Sequence, residues 1–177
     1  MIERIIVNLD VVEALLFFWH SIKDRNKVSE LFIFDVIDMP GLKYAYDYEF
    51  TSESVRKALS AITNRESFTG NNKKEGRFYS NNLWMLEDLS YTDRMIQPLK
   101  TLNLQSLVKK INATKSSNHF SELEVIFSPL HFEEYIIKDN KLIINFFSVK
   151  PNDNNEQVYI GEKELLGYIE EKLIFID

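Results

Sequence analysis

The 177-residue sequence contains no cysteine, which removes disulfides, thiolate metal ligands and a cysteine nucleophile together and is compatible with a reducing compartment. Glycine is scarce: Gly41, Gly70, Gly76, Gly161 and Gly167 include no Gly-x-Gly pair. Phosphate cradles need closely spaced glycines so that backbone amides can approach the anion, so P-loop and dinucleotide-binding folds are disfavoured. The nearest imitation, Gly70 to Gly76 (GNNKKEG), lacks a Lys-Ser/Thr ending and a helix start after it.

No apolar run approaches the roughly 18 residues that read as a membrane-spanning helix. The first residues include an acid, Glu3, and the apolar run Ala14 to Trp19 is followed by no small-residue cleavage site. We therefore expect no signal peptide and a cytoplasmic protein. Little alanine and glycine beside much isoleucine, asparagine and lysine suggests an AT-rich bacterial or phage genome.

Base is missing from one end. All six arginines fall between Arg4 and Arg94. Residues 1–115 carry 16 basic against 15 acidic side chains, and residues 116–177 carry 5 against 12. The net charge of −6 is thus +1 on the first part and −7 on the second. Such a field steers association without specifying a reaction.

Apolar residues make up 45% and charged residues 27% of the chain, close to folded soluble proteins, so most of it should be ordered. A chain of this length buries roughly 70% of its unfolded surface. Asp10 followed by Glu13 has the form of a capping box opening a helix over about Val11 to Lys23. Ser29 to Met39 reads as a helix ended by Pro40-Gly41. Leu42 to Phe50 alternates apolar and polar residues at the period of a half-buried strand. Ser52 is the expected cap of a helix with Val55, Ala58, Leu59 and Ile62 inward. Asn64 to Arg77 reads as a long exposed loop, followed by helical segments from Ser80, broken near Pro98, to Ile111. Asn112 to Asn118 is a polar joint.

After the joint the pattern turns to strands. Residues 122–127 alternate, and 131–138 and 141–149 flank Asp139-Asn140, a pair suited to a two-residue hairpin turn. Gln157 to Ile160 reads as a further strand and Glu162 to Leu173 as an amphipathic helix. The expectation is a single α+β domain over 1–177, helix-rich over 1–115, packed with an antiparallel sheet in an acidic β-rich lobe over 116–177.

The chemistry-bearing residues are few. His20, His119 and His131 include no i, i+4 zinc pair, and no cofactor or metal site is expected. Paired acids, Glu87-Asp88 with Asp93 or Asp35 with Asp38, read as solvated helix faces. Lys73, Lys74, Arg77, Lys109 and Lys110 are too scattered for the dense positive stripe that nucleic acid requires. On a strand, His131, Glu133 and Tyr135 would share one face, the best acid/base constellation in the chain. The acids Glu122, Glu124, Glu133, Glu134, Asp139, Glu156, Glu162, Glu164, Glu170 and Glu171 form the strongest charge signal, and the first five are the expected partner-binding residues. These observations point to a non-enzymatic, immunity- or inhibitor-like interaction module that binds a basic protein through its acidic C-terminal surface. The alternative is a small enzyme, a hydrolase for example, built on His131, Glu133 and Tyr135.

Overall fold

The structure, a computed structural model, describes residues 1–115 and 118–177. The β-branched run near the N-terminus forms β1 (Arg4–Asn8) and leads at once into α1 (Asp10–Lys23). The capping box expected of Asp10 and Glu13 is not formed: Leu9 is the N-cap and no side chain caps the helix. The Asp10 amide instead donates to the Asn8 side-chain oxygen, just ahead of the N-cap, at 3.0 Å. α1 buries Val11, Val12, Leu15, Phe18 and Trp19. α2 (Glu30–Ile37) follows, and the Ser29 hydroxyl accepts the Phe32 amide at 3.3 Å as its cap.

The strand expected over Leu42 to Phe50 is absent. Pro40–Ala45 is a 3₁₀ turn, and the next residues are held by Asp47, whose carboxylate accepts the Glu49 and Phe50 amides at 2.8 Å each. Local side-chain acceptors offer the backbone an alternative to a sheet ladder. Gly41 lies so close to the core that an added Cβ would sit 3.1 Å from Val11 and 3.2 Å from Ile126.

Four helices complete the first part: α3 (Ser52–Asn64), α4 (Lys73–Glu87), α5 (Leu89–Lys100) and α6 (Gln105–Thr114). Thr51, not Ser52, caps α3, in a reciprocal capping box with Ser54. The expected loop over 64–77 is shorter than its composition suggested, because the Asn72 side chain accepts the Glu75 amide at 3.0 Å and starts α4 at Lys73. A helix does begin inside GNNKKEG. Nor does Pro98 break its helix, since α5 continues to Lys100.

Of the polar joint at 112–118, residues 116 and 117 lie outside the described residues. Its beginning is a tie: Asn112 accepts the Ile2 amide at 2.9 Å and donates to the Ile2 carbonyl at 2.8 Å.

The fold class is α+β. The strands are β2 (Glu122–Ser128), β3 (Tyr135–Lys138), β4 (Lys141–Asn145), β5 (Val149–Pro151), β6 (Val158–Ile160) and β7 (Lys163–Glu164), and α7 (Leu165–Leu173) closes the chain. The main sheet has the order β1-β2-β4-β3. It is mixed where an antiparallel sheet was expected: β2 runs parallel to both β1 and β4, and only β3 is antiparallel. Burial explains the difference. Val125 to Ser128 of β2 and Leu142 to Asn145 of β4 are buried without interruption, as strands covered on both faces are. The hairpin turns at Asp139-Asn140 as expected, with Asp139 at φ 53°, and its strands are shorter than 131–138 and 141–149. β5, β6 and β7 form a second, small antiparallel sheet.

One apolar core takes residues from both parts, including Phe18, Trp19, Phe50 and Phe78 from the first and Phe127, Ile144 and Phe146 from the second. Within it Trp19 donates its indole N–H to the Asn82 side-chain oxygen at 3.0 Å, and Asn82 donates to the Phe78 carbonyl at 2.8 Å. No helix among the described residues is long and apolar enough to cross a membrane.

Candidate interaction site

The segment between β2 and β3 carries His131, Glu133 and Glu134 among the residues singled out in the sequence. It is not a strand at residues 131–134, so the alternation that would put His131, Glu133 and Tyr135 on one face does not apply. His131 points inward and is only 6% exposed. Its Nε2 lies 2.9 Å from the Ala45 carbonyl, and because a carbonyl can only accept, Nε2 carries the hydrogen. The Phe50 ring meets the imidazole edge-on with centroids 4.2 Å apart. Burial holds the imidazole pKa below its ordinary value, and the Ala45 hydrogen bond opposes that shift. Glu133, by contrast, is exposed. Tyr135 sits against the Tyr168 ring at 6.2 Å, with the Lys172 ammonium 4.8 Å from its own centroid. The structure thus gives the three residues of the acid/base constellation three separate environments.

The same packing ties residues 131–134 to their neighbours despite an irregular backbone. Asn145 donates from its side chain to the Glu133 carbonyl at 3.1 Å and from its backbone to the Glu134 carbonyl at 2.9 Å. Arg77 donates to the His131 carbonyl at 3.4 Å. Just upstream, the Ser128 hydroxyl donates to the Gly41 carbonyl at 2.8 Å. The backbone is therefore fixed by α4, the 3₁₀ turn and β4 together.

What this segment presents outward is Phe132, Glu133 and Glu134, the last of them engaged by the Tyr168 hydroxyl. Phe132 is 57% exposed, with the Arg77 guanidinium 4.8 Å from its ring centroid. One face of α4 carries the exposed residues Lys73, Arg77, Ser80 and Trp84, and Trp84, two turns beyond Arg77, is 68% exposed. Exposed aromatic rings beside arginine are the residue types that dominate protein interfaces. Sequence reasoning missed Phe132, Arg77 and Trp84 as a group, because a cation–π pair between residues far apart in sequence leaves no local pattern.

The five candidate acids divide. Glu122 is paired with Arg4. Glu124 accepts from Asn8 at 2.9 Å and lies 3.8 Å from the Lys141 ammonium. Glu134 accepts the Tyr168 hydroxyl at 2.7 Å; burial first, and then this carboxylate, pushes the Tyr168 phenol upward. Those three serve the fold. Glu133 and Asp139 are exposed and form no ion pair among the described residues. They flank β3, one before it and one at its turn.

The basic residues do not gather. Lys74 pairs with Asp47 and Glu49, and Lys110 with Glu170 at 3.0 Å. Among the described residues no group of three or more His, Asp and Glu side chains stands close enough to hold a metal ion. An open hollow of about 900 Å³ lies between α5 and the β5–β6 loop, crossed by Arg94 to Asp153 at 3.3 Å. His131 and Glu133 do not line it. No protein-family model, curated protein or solved structure matches this chain.

Proposed function

We propose that the protein is a non-catalytic interaction module, immunity- or inhibitor-like, that binds a basic protein through the 131–139 region. The observation that carries this reading is the 131–134 segment, whose backbone is tied down by Asn145 and Arg77 while Phe132 and Glu133 are exposed. A surface already fixed in its binding conformation loses less entropy on association. Phe132 with Arg77 supplies an anchor, and Glu133 and Asp139, without ion pairs among the described residues, supply the charge that selects a basic partner. The alternative of a hydrolase built on His131 gains no support from a ring that is buried and spent on Ala45.

The test uses the purified full chain as bait, with Phe132→Ala, Glu133→Lys and Asp139→Asn variants as comparators. Asp139 becomes Asn because its φ of 53° tolerates few other side chains. A captured protein is then purified and its binding measured directly. The expected result is a basic partner whose affinity falls at least tenfold with each of Phe132→Ala and Glu133→Lys. A partner that binds all the variants as tightly as the native chain, or a turnover lost in His131→Ala with the fold intact, overturns the reading.

A further inference from the structure

Strand β3 is an edge of the main sheet and, among the described residues, pairs only with β4. Its register pairs Lys138 with Lys141 across the two-residue turn and Ile136 with Ile143. In an antiparallel ladder, hydrogen-bonded and non-hydrogen-bonded pairs alternate, and the pair flanking a two-residue turn is a bonded one. The Asn145 amide bonded to the Glu134 carbonyl at 2.9 Å confirms the alternation. Tyr135 and Ile137 are therefore the residues whose amides and carbonyls point away from β4. No backbone or side-chain hydrogen bond reaches those groups among the described residues.

Resting on the interaction reading above, we infer that this edge accepts an extended, basic segment of the partner as an added strand. Main-chain bonds to Tyr135 and Ile137 would give the pairing its affinity, as in other strand-addition complexes. The occupant's chemistry follows from the flanks. Glu133 and Asp139, both exposed and without ion pairs among the described residues, stand just beyond the two ends of β3, so a partner strand with Lys or Arg near both ends is complementary. On one face Tyr135, Tyr168 and Lys172 form a ledge for its side chains.

A second copy of this chain fits less well. Two antiparallel β3 strands centred on Ile136 would set Glu133 of each against Asp139 of the other. The compensating pairs between Lys138 and Glu134 would have to draw Glu134 away from Tyr168. The strand is also short and ends in Lys138, the usual guards against edge-to-edge self-pairing.

The probe is a blocked heptapeptide with lysine at both ends and alternating valine and threonine between, added at millimolar concentration to the full protein. Amide hydrogen exchange gives the readout. In the free protein Tyr135 and Ile137 should exchange fast while Ile136 is protected by β4; bound peptide should slow Tyr135 and Ile137 at least tenfold. A peptide with glutamate ends, or one N-methylated along its bonding edge, should slow neither. Ile137→Pro removes one outward amide without touching the β4 ladder, and edge strands accept such a proline; it should abolish binding while Ile137→Val retains it. No slowing with the lysine peptide, or binding that survives N-methylation or Ile137→Pro, overturns the inference. Slowing that rises with protein concentration alone assigns the edge to a second copy and likewise overturns it. If a partner bound through Phe132 and Glu133 leaves Tyr135 and Ile137 exchanging fast, strand addition fails while the interaction reading stands; if no partner depends on Phe132, that reading fails whatever the peptide does.

Discussion

Asn82 and His131 are polar side chains placed inside an apolar core, and each is held by named partners. Asn82 is fully buried and receives the Trp19 indole N–H. Replacing it with alanine strands that donor in the core, and an unsatisfied buried donor costs about 1–3 kcal/mol. Urea unfolding of Asn82→Ala should show that loss with the slope unchanged. For His131 the sign follows from its depressed folded pKa. The unfolded chain takes up a proton near pH 6.5 and the folded chain only at lower pH, so this contribution to stability is complete above about 6.5 and declines as pH falls toward the folded value. His131→Gln should flatten that acid limb of the stability curve, measured as urea midpoints from pH 7.5 downward. Of this detail the sequence revealed only that His131 and its neighbours were worth attention. The Ala45 carbonyl that fixes the ring lies in a turn far away in sequence, and no spacing rule reaches it.

At the scale of elements, periodicity located α1, α2, α3 and the hairpin, because each has an apolar stripe or a turn pair of its own. It failed at Leu42 to Phe50, where alternating tyrosines gave a strand pattern while Asp47 and Pro40 imposed turns. It also could not reveal that β1 would dock parallel to β2, since strand partnership depends on where the intervening helices pack. The connection before α4 was misread for a different reason. Its polar composition hides a built joint, in which the buried Glu75 carboxylate accepts the Ser54 hydroxyl at 2.8 Å and the Asn71 amide at 2.9 Å. Gly70 is required there: a Cβ would lie 2.8 Å from both the Glu75 Cβ and the Gly76 nitrogen. Because one of those atoms is backbone, relief requires moving the first turn of α4, a kind of overpacking that costs about 1–3 kcal/mol. Gly70→Ala should lower the thermal midpoint by several degrees, whereas Gly167→Ala, where nothing lies within 4 Å, should leave it unchanged or slightly raised.

For the molecule as a whole, the acidic C-terminal part is less available to a partner than its charge count implies. Of the five candidate acids, Glu122, Glu124 and Glu134 are occupied by Arg4, Lys141 and Tyr168, which leaves Glu133 in the 131–134 segment and Asp139 at the hairpin turn. Adjacent acids should therefore separate by experiment. Glu134→Gln weakens a charged hydrogen bond to the buried Tyr168 and should cost about 1–2 kcal/mol of stability with little effect on association. Glu133→Gln and Asp139→Asn should leave the unfolding midpoint within about 0.5 kcal/mol of the native chain, as exposed substitutions usually do. Their effect belongs on the encounter rate with a basic partner, which long-range charge raises and salt suppresses. Stopped-flow association across a salt series should show the native rate falling as the Debye length shortens to about 8 Å and below, with a shallower dependence in the double variant. If Glu134→Gln slows association as strongly as the double variant, or the salt slope does not change, the recognition charge lies elsewhere on the surface.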